Sequence, residues 1–129
     1  MIYAPKIERM WDSWIFPHQG KFYLYYISIS PEQYGKGPWD GISLAISEDL
    51  IHWTEYGCVL KKRPEASWLG TGMIQKIGDL FIMNYSEECP AGTQNIYFAT
   101  SKDLLHWEKT EYVSAPDGVN YMNKPTDMC

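Results

Sequence analysis

Eight short runs rich in Tyr, Ile, Phe and Leu divide the chain, punctuated by glycine, proline and asparagine. The first four are Trp11 to Phe16, Lys21 to Ile29, Gly41 to Ser47 and Thr54 to Leu60. The second four are Gly72 to Ile77, Asp79 to Ser86, Gln94 to Thr100 and Glu108 to Val113. Aromatic and branched residues in runs of this length suit a pleated, half-buried surface, so each run predicts a β-strand. His18-Gln19-Gly20 and Ile77-Gly78-Asp79 predict tight hairpin turns. No segment sustains a 3.6-residue period over the length of a domain-building helix, although Glu48 to Trp53 has room for a helical turn. The pattern predicts an all-β protein.

The two groups of four are copies of one unit. Ile42 to Trp53, ISLAISEDLIHW, returns as Ile96 to Trp107, IYFATSKDLLHW, 54 residues later. The shared frame is A-x-S-x-D-L-x-H-W. Upstream, Gly20 to Tyr26 corresponds to Gly78 to Asn84, 58 residues apart, and a longer loop from Ser30 to Asp40 absorbs the difference. A four-stranded antiparallel unit repeating at about fifty residues is the signature of a β-propeller blade. Blade one is expected over about residues 10–60 and blade two over about 67–113, with 114–129 as a tail leading towards a third. A ring needs at least about four blades. The 129 residues are therefore expected to be part of a propeller, with exposed blade faces available for self-association.

Ser47, Asp49 and Trp53, and likewise Ser101, Asp103 and Trp107, fall between the third and fourth strands of their copies. Short polar side chains there accept hydrogen bonds from turn N–H groups, and the tryptophan packs the turn on the sheet. Recurrence in both copies marks these residues, with His52 and His106, as scaffold, since an active site is assembled once.

Composition narrows the function. Hydrophobic residues make up 45% of the chain, which argues against disorder. Net charge is −5, and the only basic cluster is Lys61-Lys62-Arg63 beside Pro64, so nucleic acid is not an expected partner. Cys58, Cys89 and Cys129 lack any zinc-ligand spacing, and no metal or other cofactor is expected. No run approaches the roughly 20 apolar residues of a membrane helix, and Met1 to Lys6 lacks the apolar stretch of a signal peptide. A cytoplasmic protein with free thiols is the expectation.

The frame S-x-D-L-x-H-W, preceded by G-K-F-Y-L-Y-Y, resembles blades of the five-bladed glycoside hydrolases of families 32, 43 and 68 over roughly residues 10 to 113. The resemblance implies an enzyme that hydrolyses O-glycosidic bonds, of fructosidase, arabinosidase or xylosidase type, between two carboxyl groups. It places the first carboxylate on the first strand of blade one, where Asp12 stands in Met10-Trp11-Asp12-Ser13-Trp14. Asp12 would be the nucleophile of a retaining enzyme or the base of an inverting one. Trp11 and Trp14 beside it offer apolar walls for a sugar ring. Family 32 continues Asp-Pro-Asn-Gly at this point, and this chain does not. Ser67 to Met73 resembles the small-residue strand lining the sugar subsite, with Trp68 to stack on a sugar and Thr71 to bond a hydroxyl. Glu88-Cys89 matches the family 32 acid motif in letters only. Its position predicts a solvated loop, and the acid glutamate and an Arg-Asp-Pro element are expected beyond residue 129, leaving the chain inactive alone.

The competing reading is a non-catalytic carbohydrate-binding or interaction module, with Trp11, Trp14, Trp39 and Trp68 as the surface. A sialidase-like propeller is disfavoured because the turn frame lacks its glycine and the chain's only arginines are Arg9 and Arg63.

Overall fold

Alternating side chains and tight turns fold the chain into two antiparallel meanders. The computed structural model describes residues 3–6 and 8–119. Strands β1 (Arg9–His18), β2 (Lys21–Ile29), β3 (Gly41–Ser47) and β4 (Trp53–Lys61) form one sheet in the order β1-β2-β3-β4. Strands β5 (Trp68–Ile77), β6 (Leu80–Glu88), β7 (Gln94–Ser101) and β8 (Glu108–Ser114) form the second in the order β5-β6-β7-β8. Residues 1–61 and 62–129 are two compact units, one sheet in each. A 3-10 turn at Pro31–Gln33 is the helical element among the described residues. The stretch Glu48 to Trp53 is a bend rather than a helical turn. No described helix is long and apolar enough to cross a membrane. Of the expected tail, residues 120–129, with Cys129, lie outside the described residues.

The two central strands of each sheet hold its core. Leu24, Tyr26 and Ala45 are buried together in the first, packed by Tyr3, Met10 and Trp53. In the second, Phe81, Met83, Tyr85 and Ala99 are buried. Pairing shows these sets to be equivalent: Phe22 faces Ser47 as Phe81 faces Ser101. Lys21 and Leu80 each follow their turn, so the hairpins match at 59 residues rather than the 58 read from sequence. The cause is turn chemistry. Gly20 is the second central residue of its turn, after Gln19 at φ 47°, whereas Gly78 is the first of its own. A slip of one inverts every side chain of a strand, and the corrected register puts Tyr26 on Tyr85.

The repeated turn has nearly the same geometry in both sheets. Ser47 Oγ accepts from the N–H groups of Asp49 and Leu50 at 3.2 and 2.9 Å, and Ser101 Oγ does so from Asp103 and Leu104 at the same distances. Asp49 Oδ1 accepts from Ile51 and His52, and its Oδ2 lies 2.6 Å from His52 Nδ1. Asp103 repeats this with Leu105 and His106, at 2.7 Å from the ring nitrogen. Trp107 Nε1 donates to the Leu104 carbonyl. These side chains close the turn, as the repeat suggested.

Two predictions follow from this turn. The His52 and backbone hydrogen bonds hold Asp49 below the ordinary carboxylate range; at Asp103, slight burial opposes the same bonds and is outweighed by them. A depressed carboxylate stabilises the fold fully above its unfolded value, and that stabilisation is lost as pH falls below about 4. The double variant Asp49→Asn/Asp103→Asn will flatten the fall of the urea midpoint below that pH; an unchanged slope would contradict the assignment. The residue between clasp and strand, Leu50 or Leu104, has left-handed backbone at φ 63° and 68°. This conformation costs a branched residue about 1–2 kcal/mol. Leu50 is 45% exposed and Leu104 is buried. Leu50→Gly will therefore change stability by less than about 1 kcal/mol, strain relief offsetting chain entropy. Leu104→Gly will cost about 2–4 kcal/mol through lost packing. Denaturant titration of the two variants compares them directly.

Candidate functional site

A β-bulge sets the site in the first sheet. On β1, Met10 faces Ser28 and Ser13 faces Tyr26, so Trp11 and Asp12 together oppose Ile27 alone. Such an insertion breaks side-chain alternation and re-aims the residues it carries. Trp11, Asp12 and Ser13 are accordingly three exposed residues in succession, after which β1 alternates regularly from Trp14 to His18. Because β1 is the free edge of its sheet, Asp12 is presented to solvent on a rigid element.

The long β2–β3 loop builds the surroundings. The indole of Trp39 meets that of Trp11 with centroids 5.2 Å apart, tilted by 34°. The Arg9 guanidinium lies 4.5 Å over the ring of Tyr34. The base of the loop is tied by Asp40, whose Oδ1 accepts from the Ser30 N–H and whose Oδ2 accepts from Ser30 Oγ, all at 3.0 Å. Lys61 Nζ donates to the same Oδ2 at 3.1 Å. Partial burial works to raise the Asp40 carboxyl, but the Ser30 and Lys61 contacts prevail and hold it below its ordinary range. Trp14 lies apart from this cluster's rings. It stacks on buried Tyr25 at 6.1 Å with an interplanar angle of 15°, and its Nε1 is buried without a partner among the described residues.

The second sheet has the same bulge with other residues. On β5, Leu69 faces Glu87 and Gly72 faces Tyr85, so Gly70 and Thr71 oppose Ser86. Thr71 thus stands where Asp12 stands in the first sheet. Gly70 is buried, and a Cβ built on it would lie 2.2 Å from Ser86 Oγ. Gln94 Nε2 donates to that same oxygen at 2.8 Å. Trp68 is half-buried, and its Nε1 donates to the Glu88 carboxylate.

One expectation is corrected here. Glu87 and Glu88 lie on strand β6, paired to Asn95 and Gln94, rather than in a solvated loop. Glu87 is only 1% exposed and holds a network: Arg63 donates to it from its backbone N at 3.0 Å and from its guanidinium at 3.1 Å. Lys109 Nζ lies at 3.8 Å, and Arg63 also reaches the Tyr85 hydroxyl and stacks 3.9 Å over Tyr97. Burial and then the Glu87 charge push Tyr85 up to about 12. A buried carboxylate persists as a charge only with such partners. The signal for it was Arg63 beside Pro64, which composition alone left as a short basic run.

Of the sequence-derived site residues, Trp11 and Asp12 lie on one bulge, Trp14 packs on Tyr25, and Trp68 and Thr71 belong to the second sheet. Arg9, Tyr34 and Asp40 were not foreseen, and Trp39 only as part of an aromatic surface.

No family model matches the chain, and no curated protein matches it by sequence. Solved structures do match. The GH32 beta-fructofuranosidase of Bombyx mori is similar at a TM-score of 0.71 and 19% identity, over 88% of this chain and 25% of that one. A thermostable family-43 glycoside hydrolase is similar at a TM-score of 0.61 and 23% identity, over 83% and 34%. CoXyl43, a GH43 beta-xylosidase/alpha-arabinofuranosidase from a compost microbial metagenome in complex with xylotriose, gives 0.69 and 13% over 88% and 37%. The likeness is one of fold: the two sheets are propeller blades of the kind found in these glycoside hydrolases. The chain spans between a quarter and two fifths of the length of the structures it matches.

Proposed function

We propose that this chain forms blades of a glycoside hydrolase and that Asp12 is one of its two catalytic carboxylates. The observation that carries the reading is Asp12 on an exposed bulge of a sheet edge, adjoining a solvent-facing tryptophan that is 55% exposed. Tryptophan stacks on the apolar face of a sugar while a carboxylate works on its polar ring atoms. In hydrolysis with retention Asp12 would attack the anomeric carbon and carry the glycosyl group, and water would then release it. With inversion Asp12 would take a proton from water on the face opposite the leaving group. Either route needs a second carboxyl group to protonate the leaving oxygen, and this partner is expected from further blades of a complete ring. On the second sheet, taken by itself, Thr71 at the equivalent bulge and Trp68 are proposed as sugar-contacting residues.

The test is binding and turnover by the 129-residue chain, with xylo-, arabino- and fructo-oligosaccharides and aryl glycosides. Saturable binding without turnover is expected. Robust turnover lost in Asp12→Asn would overturn the need for an acid beyond these residues. Absence of binding to all of these sugars would overturn the carbohydrate reading. The second reading, a non-catalytic binding module, draws on the pair of exposed Trp11 and half-buried Trp39. It predicts glycan-array binding that survives Asp12→Asn and disappears with the tryptophans.

A further inference from the structure

Residues 30–40, between β2 and β3, replace the tight connection that residues 89–93 make in the second sheet. There, Cys89 and Thr93 close a short loop by a backbone bond of 2.8 Å. The first-sheet loop is long yet fixed at three places. Its base is clasped by Asp40 between Ser30 and Lys61. Its middle is folded by backbone bonds around Pro31–Gln33 and by the Arg9–Tyr34 contact. Its far end puts Trp39, next in sequence to the clasp, against Trp11. A loop fixed this way has already lost the conformational freedom that ligand binding would otherwise remove.

We propose that this loop is a preformed wall of the sugar site, in which Trp39 shares the stacking platform with Trp11 and Asp40 is the positioning residue that holds Trp39 there. The proposal rests on the carbohydrate reading above. Two indoles tilted by 34° join the apolar surface of Trp39 to that of Trp11, the residue preceding Asp12. The C–H faces of one sugar ring fit such a surface, while its hydroxyls stay free for polar groups. Asp40 touches no sugar. It acts through the backbone of its neighbour, because both of its oxygens bind Ser30 across the loop base and one of them also accepts from Lys61.

Paired indoles give an exciton couplet in the far-ultraviolet circular dichroism, which reports the platform without any ligand. The couplet is expected in the wild type, absent in Trp39→Phe, strongly reduced in Asp40→Ala, and restored in Asp40→Asn, which keeps an acceptor for the Ser30 N–H. Lys61→Met, which leaves the loop sequence intact, is expected to reduce it partially and serves if Asp40→Ala does not fold. A couplet unchanged in the folded Asp40→Ala, or in Lys61→Met where Asp40→Ala is unfolded, would overturn the positioning role. Titration with xylotriose and a fructotriose, followed by indole N–H resonances, tests the ligand. Affinity is expected to fall about tenfold in both Trp39→Ala and Asp40→Ala, and to be unchanged in Tyr112→Ala on the other sheet. Wild-type binding that Trp39→Ala leaves intact would overturn the role of Trp39 alone. No saturable shift with either sugar in the wild type would overturn the carbohydrate reading and that role together, and the couplet would still decide the role of the clasp.

Discussion

Arg63→Met will destabilise the second unit by about 3–5 kcal/mol, the usual result of removing one partner from a buried ion pair. The substitution leaves Glu87 inside the sheet with Lys109 at 3.8 Å as its remaining cation, and removes both the Tyr85 contact and the stack on Tyr97. Burial opposes the Arg63 charge, yet the Glu87 hydrogen bond outweighs it and raises the pKa of the guanidinium above its ordinary value. The guanidinium therefore stays charged across the range in which the protein can be handled. Replacing both partners, Arg63→Met with Glu87→Leu, will recover much of the loss, because no uncompensated charge remains. Denaturant unfolding of the three variants, followed by hydrogen exchange on β6 and β7, measures both effects. A single variant within about 1 kcal/mol of wild type would show that water reaches Glu87.

Gly70→Ala will cost about 3 kcal/mol, at the upper end of what one added methyl group does in a tight site. The new carbon would meet Ser86 Oγ at 2.2 Å, with Gln94 Nε2 and the Trp68 ring each at 3.1 Å. None of these is the free end of a long side chain, since Ser86 and Gln94 are buried and bonded to each other. Ser86→Ala alone should cost about 1–3 kcal/mol by stranding the Gln94 amide. Added to Ser86→Ala, however, Gly70→Ala should cost little more, because the clashing oxygen is gone. This non-additivity is the diagnostic result of a double-mutant cycle. Fully additive costs would mean that the bulge, rather than the serine, excludes a side chain at position 70.

The strands and their turns were readable because their determinants are local. Ser47, Asp49 and His52 saturate one turn within six residues, and their return as Ser101, Asp103 and His106 announces the same turn twice. The correspondence between the two hairpins was offset by one residue because a glycine match was given more weight than its place within the turn. Gly20 and Gly78 both supply positive φ, but at different central positions. Asp12 stood out as an acid in an aromatic strand. Its bulge did not, because a bulge is a mismatch between two strands and is defined only once Ile27 is paired. The same limit hid Asp40, whose partners Ser30 and Lys61 become neighbours only when β2, β3 and β4 are assembled. Glu87 was misplaced for a related reason. A glutamate followed by Glu-Cys-Pro looks solvated until the counter-charge arriving from residue 63 is known.

The contrast between Glu55 and Lys109 bears on how two near-identical sheets avoid exchanging parts. Glu55 faces Ala45 on β4, and Lys109 faces Ala99 at the same register on β8. The first strands of the hairpins that carry them end in the same Ala-x-Ser frame, so a nascent chain could pair β3 with β6 as readily as β7 by pattern alone. Misassembly of this type is characteristic of repeat proteins. Such a swap would bring Glu55 to the place where Lys109 now attends Glu87, setting two carboxylates together away from water. The charge reversal between the copies would therefore disfavour the exchanged pairing, because like charges would meet where opposite charges now do.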